Sequence, residues 1–245
     1  MGGATQDGRS AVMNGNQRSS IVPFFRPFIG LLLLCALTPV AAAAPSATEI
    51  LSSARQQVAQ QEVELNGQLR ENATIVPFRL TQMGPVIRYT FSNPQESLVL
   101  RLGENDSRLE EITREGVDKI GGSEFDQKVR GTAITYEDLA LKFIYWPDGR
   151  VLGEDYINTR RVWKLELRPP GRESQYSRVF LWCEQKSGAL MRMEGFDWNG
   201  KLVRRFQVVS VQKIEGRYFL KSMRIEALAP ESGKTQSLTY LEIKR

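Results

Sequence analysis

From residue 62 to residue 70 apolar and polar side chains alternate, with Val63, Leu65, Gly67 and Leu69 set against Glu62, Glu64, Asn66, Gln68 and Arg70. A period of two predicts a strand with one buried face. Strand-like runs follow at 75–82, 86–91, 98–102 and 108–114, separated by Gly84-Pro85, Asn93-Pro94 and Glu104-Asn105-Asp106, all turn-forming sequences. A second series occupies 162–168, 178–184, 190–198, 201–211, 217–228 and 235–244. Its joining pieces are Lys186-Ser187-Gly188, Asn199-Gly200, Glu215-Gly216 and Glu231-Ser232-Gly233-Lys234, and Asn-Gly between two strands is a strong hairpin signal. Two stretches depart from this rhythm. Ser46-Ala47-Thr48-Glu49 has the spacing of a capping box, and Ile50, Leu51, Ala54 and Val58 then share one face of a helix predicted to run to about residue 60. After Gly121-Gly122, residues 136–143 read as a helix or helical loop able to lie over the sheet, and Trp146-Pro147-Asp148-Gly149-Arg150 reads as a turn.

These elements predict a mainly β (α+β) domain. Its core is a strongly curved antiparallel sheet or half-barrel of about ten strands, with an N-terminal helix and a middle helix covering the concave face. A doubly wound α/β fold is excluded by the scarcity of helices, and no fixed-length repeat suggests a propeller. In Val179-Phe180-Leu181-Trp182-Cys183 both faces are apolar, so that strand is expected to be covered on both sides.

Composition narrows the function classes. The chain has 245 residues, 41% hydrophobic and 25% charged, which suits one globular core. Residues 28–44 form an apolar run after Arg26 that ends in small residues, the pattern of a signal peptide. It is short for a membrane span. Ala41 and Ala43 satisfy the A-x-A rule, giving a leader of 1–43 and a single mature domain of 44–245, exported to the periplasm. A lipoprotein anchored through Cys35 is disfavoured by Leu33 and Leu34, where small residues are expected. Without Arg9, Arg18, Arg26 and Asp7 of the leader, 30 basic side chains face 27 acidic ones. That balance is too mild for nucleic acid, which needs a clustered basic stripe.

Histidine is absent, which removes His-based triads, most zinc sites and the usual general base. Cys183 is alone in the mature chain and reads as a small core residue. There is no G-x-S-x-G elbow, P-loop, dinucleotide fingerprint or EF-hand loop. The carboxylate pairs Glu137-Asp138 and Glu154-Asp155 read as solvated, as do the basic pairs Arg160-Arg161 and Arg204-Arg205, each with one member pointing outward. No catalytic residue, metal site or cofactor is therefore expected. The positive feature is aromatic and aliphatic density on the strands, for which a filled core and a cavity for an apolar ligand are both open readings. Candidates for lining such a cavity are Leu65, Phe78, Tyr89, Phe91, Leu100, Trp163, Leu165 and Trp182.

Three stretches occur in a familiar order: Gly131-Thr132-Ala133-Ile134-Thr135-Tyr136-Glu137-Asp138-Leu139, then Tyr176-Ser177-Arg178-Val179-Phe180-Leu181-Trp182, then Gly188-Ala189-Leu190-Met191-Arg192 with Asp197-Trp198-Asn199-Gly200-Lys201-Leu202. In that order they resemble the outer-membrane lipoprotein-sorting protein family, related to the periplasmic lipoprotein carrier LolA. The resemblance implies a curved antiparallel sheet closed by helices around an apolar cavity. It further implies a monomeric carrier of lipoprotein acyl chains or lipid toward the outer membrane, loaded and unloaded by membrane-embedded proteins. Two other classes stay open: an interaction or sensor module binding a membrane-protein partner, and a carboxylate-dependent hydrolase.

Overall fold

The computed structural model describes residues 44–214 and 216–244. The leader expected at 1–43 lies outside the described residues. Ala47–Ala59 forms helix α1, opened by Ser46, whose hydroxyl accepts from the Glu49 amide while the Glu49 carboxylate accepts from Ser46 N at 2.7 Å. This is the capping box read from the sequence, and Ile50, Leu51 and Ala54 are buried as its spacing requires.

Thirteen strands follow: β1 (Glu62–Glu71), β2 (Thr74–Met83), β3 (Val86–Ser92), β4 (Gln95–Leu102), β5 (Ser107–Ile112), β6 (Val117–Ile120), β7 (Asp148–Ile157), β8 (Arg160–Arg168), β9 (Arg178–Glu184), β10 (Leu190–Phe196), β11 (Leu202–Ile214), β12 (Arg217–Leu228) and β13 (Thr235–Lys244). They make one antiparallel sheet in the order β6-β5-β4-β3-β2-β1-β13-β12-β11-β10-β9-β8-β7. Two meanders are thus joined where the first strand pairs with the last. Thirteen strands replace the expected ten, chiefly because β6 and β7 carry weak signals. β6 has four residues, three of them exposed, and β7 is a polar edge strand with glycines at 149 and 153 and a register shift beside Gly153.

Between β6 and β7 runs a strap, residues 122–146, made of single 3-10 turns and the five-residue helix α2 (Tyr136–Ala140). Its one β-bridge, Lys128 with Thr135, is internal, so it lies on the sheet without extending it. Alternation along β9 separates the two faces. Val179, Leu181 and Cys183 pack with Ala47, Ile50 and Leu51 of α1 and with Phe143, Ile144 and Trp146 of the strap. Phe180 and Trp182 belong to a separate cluster with Ile157, Val162, Met191 and Val208. Only the first set is covered by α1 and the strap; Phe180 and Trp182 are packed by neighbours on their own face of the sheet, so the second cover expected from the sequence is not found among the described residues, and Cys183 is a buried core thiol.

Candidate functional site

The covered face of the sheet is apolar over most of its width. Leu69, Phe78, Ile87, Phe91, Leu98, Leu100 and Leu109 form one continuous cluster with Val129, Ala133, Ile134 and Ala140 on the underside of the strap. Phe78 meets Phe91 and Tyr89 edge-on, at centroid distances of 6.1 and 5.6 Å. Space for that ring comes from Gly67 on β1, where a Cβ would stand 2.4 Å from the Phe78 ring.

Of the eight candidate lining residues, Phe78, Phe91 and Leu100 lie in this cluster, with Leu65 and Tyr89 half-buried against it. Leu165 and Trp163 lie in the cluster under α1. Trp182 stands apart on the opposite face, donating from Nε1 to Asp155 Oδ2 at 2.9 Å. Burial pushes the Tyr89 phenol up to about 12, so it stays neutral among these apolar neighbours. Between α1 and the end of the strap lies a groove of about 180 Å³, bounded by Leu51, Arg55, Ile144, Tyr145 and Trp146. Ligand sites typically need about 300–1,000 Å³, so the strap as described covers a packed face.

Polar groups fasten the strap at defined points. At its centre, Arg204 of β11 places Nε 3.2 Å from Asp138 Oδ2 and donates from Nη1 to the Ala133 carbonyl. Tyr176, fully buried, donates its hydroxyl to Asp138 Oδ1 at 2.5 Å, and Arg204 Nε donates to the same hydroxyl oxygen at 3.3 Å. The Tyr176 ring lies against Gly195 of β10, where a Cβ would stand 2.5 Å from it. Asp138 also closes the N-terminus of α2 by accepting from Thr135 N at 3.0 Å. The Ala133 amide donates to Glu71 Oε2 at 2.7 Å and to Thr239 Oγ1 at 2.9 Å, tying the strap to β1 and β13 as well.

The strap's two ends are held separately. Arg130 pairs with Glu96 at 2.8 Å, donates to the carbonyls of Asn93 and Pro94, and stacks over Phe91. Near the other end Lys142 bridges Asp106 Oδ1 and the Ser107 carbonyl, while Ser107 Oγ donates to the Ala140 carbonyl at 2.6 Å. Arg55 of α1 donates to the Ile144 carbonyl at 2.6 Å.

These contacts correct two sequence expectations. Glu137 and Asp138 are both buried, and Glu137 accepts from Ser174 Oγ and from the Gln175 amide at 3.0 Å. Burial raises the Glu137 pKa, against these donors and with the nearby Asp138 charge adding to it. Arg204 is buried too, while its neighbour Arg205 reaches Glu194 at 3.0 Å on the opposite face. Burial lowers the Arg204 pKa, but the Asp138 carboxylate and Tyr176 outweigh it and keep the guanidinium charged. The pairing of Arg204 with the strap is set by the register of β11, and adjacent arginines carry no local signal for it. Among the described residues no group of three His, Cys, Asp or Glu side chains is arranged to hold a metal ion.

No curated protein matches this chain. Solved structures share its fold, among them the following three. A DUF1329 family protein from Desulfovibrio piger aligns at TM-score 0.62 and 19% identity, over 81% of this chain and 90% of the other. A domain named for outer membrane lipoprotein sorting, from Vibrio parahaemolyticus, aligns at 0.61 and 15% identity, over 81% and 92%. A LolA superfamily protein from Nitrosomonas europaea aligns at 0.57 and 15% identity, over 82% and 93%. A family model described as "Uncharacterized protein" matches residues 113–244. That span takes in the strap, Tyr176, Arg204 and every strand of the second meander, and the chain belongs to this family, on a LolA-like fold.

Proposed function

We propose that the domain is a periplasmic binding protein for lipid or for the acyl chains of a lipoprotein, held between the covered face of the sheet and the strap. The observation that carries this reading is the construction of the strap. Its underside is apolar, it shares no strand pairing with the sheet, and it is fastened at a few polar points. Lifting it exposes Phe78, Phe91 and Leu100 as one apolar surface. Each buried methylene contributes ~0.8 kcal/mol, so a chain of about fourteen offers ~11 kcal/mol. That is enough to compete with strap hydrogen bonds worth ~1 kcal/mol apiece. The fold shared with the Vibrio and Nitrosomonas proteins supports the same reading. No chemistry beyond binding is called for, so the protein is a carrier and not an enzyme, and membrane-embedded partners give the transfer its direction.

The test is native mass spectrometry of the protein purified without detergent from a bacterial periplasm, with lipid identification after solvent extraction. An acyl-bearing species at about one per chain is the expected result. A clean apo mass, with no uptake of an offered acylated peptide, overturns the carrier reading and leaves the domain as a filled-core module for a protein partner. The same preparation reports the mature N-terminus, expected at residue 44.

A further inference from the structure

The face turned away from the strap carries a row of side chains that runs across the strands. Cross-strand pairing places Lys164 (β8) beside Trp182 (β9), Trp182 beside Arg192 (β10), and Arg192 beside Gln207 (β11). Cations lie over the aromatic rings along it. Lys164 Nζ is 5.0 Å from the Trp182 centroid and 5.2 Å from that of Phe180, and the Arg192 guanidinium is 5.3 Å from Trp182. One turn of the pleat away, Arg178 stacks on Phe196 at 4.5 Å and on Phe180 at 5.4 Å.

What sets these three cations apart is that none is held in a direct ion pair. Among the described residues none of Lys164, Arg178 and Arg192 has a carboxylate within ion-pair distance. Most carboxylates around them are paired elsewhere: Glu166 with Arg150 and Arg168, Glu184 with Arg160, and Glu194 with Arg205. The Asp155 carboxylate, which accepts from the Trp182 indole, is among the described residues the one counter-charge felt by Lys164 and Arg192, and it leaves the stripe net positive. Arg178 Nε is buried without a hydrogen-bond partner, and the side-chain hydrogen bond of Arg192 goes to neutral Gln207, at 2.5 Å. A guanidinium stacked on a ring is held in place by its flat face and keeps its N–H donors for a planar anion.

We propose that this row is the docking site for an extended, acidic segment of a partner protein. Charge and shape favour a peptide over a membrane. These cations form a narrow stripe flanked by Glu166, Glu194 and Asp155, whereas a lipid surface would press on the flanking carboxylates as well. Lys164 and Arg192 sit two strands apart, roughly 10 Å, within reach of glutamate side chains two or four residues apart, which share one face of an extended chain at ~7 and ~13 Å. The site does not depend on whether an acyl chain binds under the strap.

The test uses fluorescence anisotropy with a fluorescein-labelled, glutamate-rich peptide, alongside flotation with phosphatidylglycerol vesicles. The expected result is peptide binding that weakens as salt rises and falls roughly tenfold in the double variant K164Q/R192Q. Arg79→Gln, which removes an exposed cation paired with Glu64 on β1, is expected to leave binding unchanged. Equal binding by wild type and K164Q/R192Q, vesicle binding without peptide binding, or no binding of either overturns the proposal. Self-association that competes with the peptide also overturns it, because the stripe then serves a second copy of the chain. Circular dichroism melts keep loss of fold distinguishable from loss of the site.

Discussion

Replacing Asp138 with asparagine tests the central fastening of the strap with almost no change of shape. The carboxylate is fully buried, and both its oxygens are occupied: Oδ1 accepts from Tyr176, and Oδ2 accepts from Thr135 N and is ion-paired with Arg204. An amide keeps one acceptor and turns the other position into a donor. Whichever way it is placed, an N–H then faces either the Tyr176 hydroxyl or the Thr135 and Arg204 donors. Arg204 is also left buried without its counter-charge. Breaking a buried pair from one side costs ~3–5 kcal/mol, and with a urea slope of ~2 kcal/mol/M the midpoint should fall by roughly 1.5–2.5 M. Removing both charges in D138N/R204M should cost less than the two single variants added together, since no unpaired charge remains. Hydrogen exchange locates the effect: the amides of Ala133 and Thr135 should lose protection before those of β9 and β10. A drop in midpoint below ~0.5 M for Asp138→Asn, or additivity in the double variant, refutes the idea that this pair holds the strap.

Other expectations follow from single features. Gly195→Ala pushes a methyl into the Tyr176 ring and should cost ~1–3 kcal/mol, read from urea midpoints and near-ultraviolet dichroism; an unchanged midpoint contradicts the close contact. The buried Glu137 has a folded pKa above its ordinary 4.5, so the folded state holds that proton more tightly than the unfolded one. Its contribution to stability is complete below pH 4.5 and is lost as pH rises through the raised value. Glu137→Gln should therefore flatten the stability profile in that window, and an unchanged slope counts against this assignment. Glu242 acts in the opposite sense, because hydrogen bonds from Arg70 and Gln68 lower its pKa. Its contribution is present above the unfolded value and lost as pH falls through the folded one, so Glu242→Gln should be least harmful in acid. Burial pushes the Cys183 thiol up to about 12. Iodoacetamide should leave Cys183 unmodified in the native protein and modify it in urea, by peptide mass spectrometry.

Most strands could be read from the sequence because one face of each is buried and the other wet, and a period of two survives in the residue order. Strands β6 and β7 escape that logic. Val117-Asp118-Lys119-Ile120 buries only its last residue, and β7 keeps only Ile157 fully buried among its ten positions. The apolar character of the covered face was legible for the same reason as the strands, and seven of the eight residues named as cavity candidates lie in its packed clusters. Trp182 did not join them, since alternation fixes only that neighbours point apart and leaves open which set meets the strap. The polar half was hidden. Asp138, Tyr176 and Arg204 are distant in sequence and meet through the register of β11 and the path of the loop before β9. The ladder of Lys164, Trp182 and Arg192 depends likewise on three strands being in step.

The pairing of β1 with β13 has a bearing on how the chain is made. Asn66 stands opposite Lys244, and Glu71 opposite Thr239, so the first strand of the sheet completes its hydrogen bonds only with β13, which follows every other strand in the chain. Until those residues emerge, a chain delivered N-terminus first holds a six-stranded meander with one long edge open, a surface prone to join other chains. Contacts of such sequence separation are slow to form. A protein lacking residues 235–244 should thus remain two incomplete sheets, each a substrate for a holding chaperone or a protease, whatever the integrity of its strap.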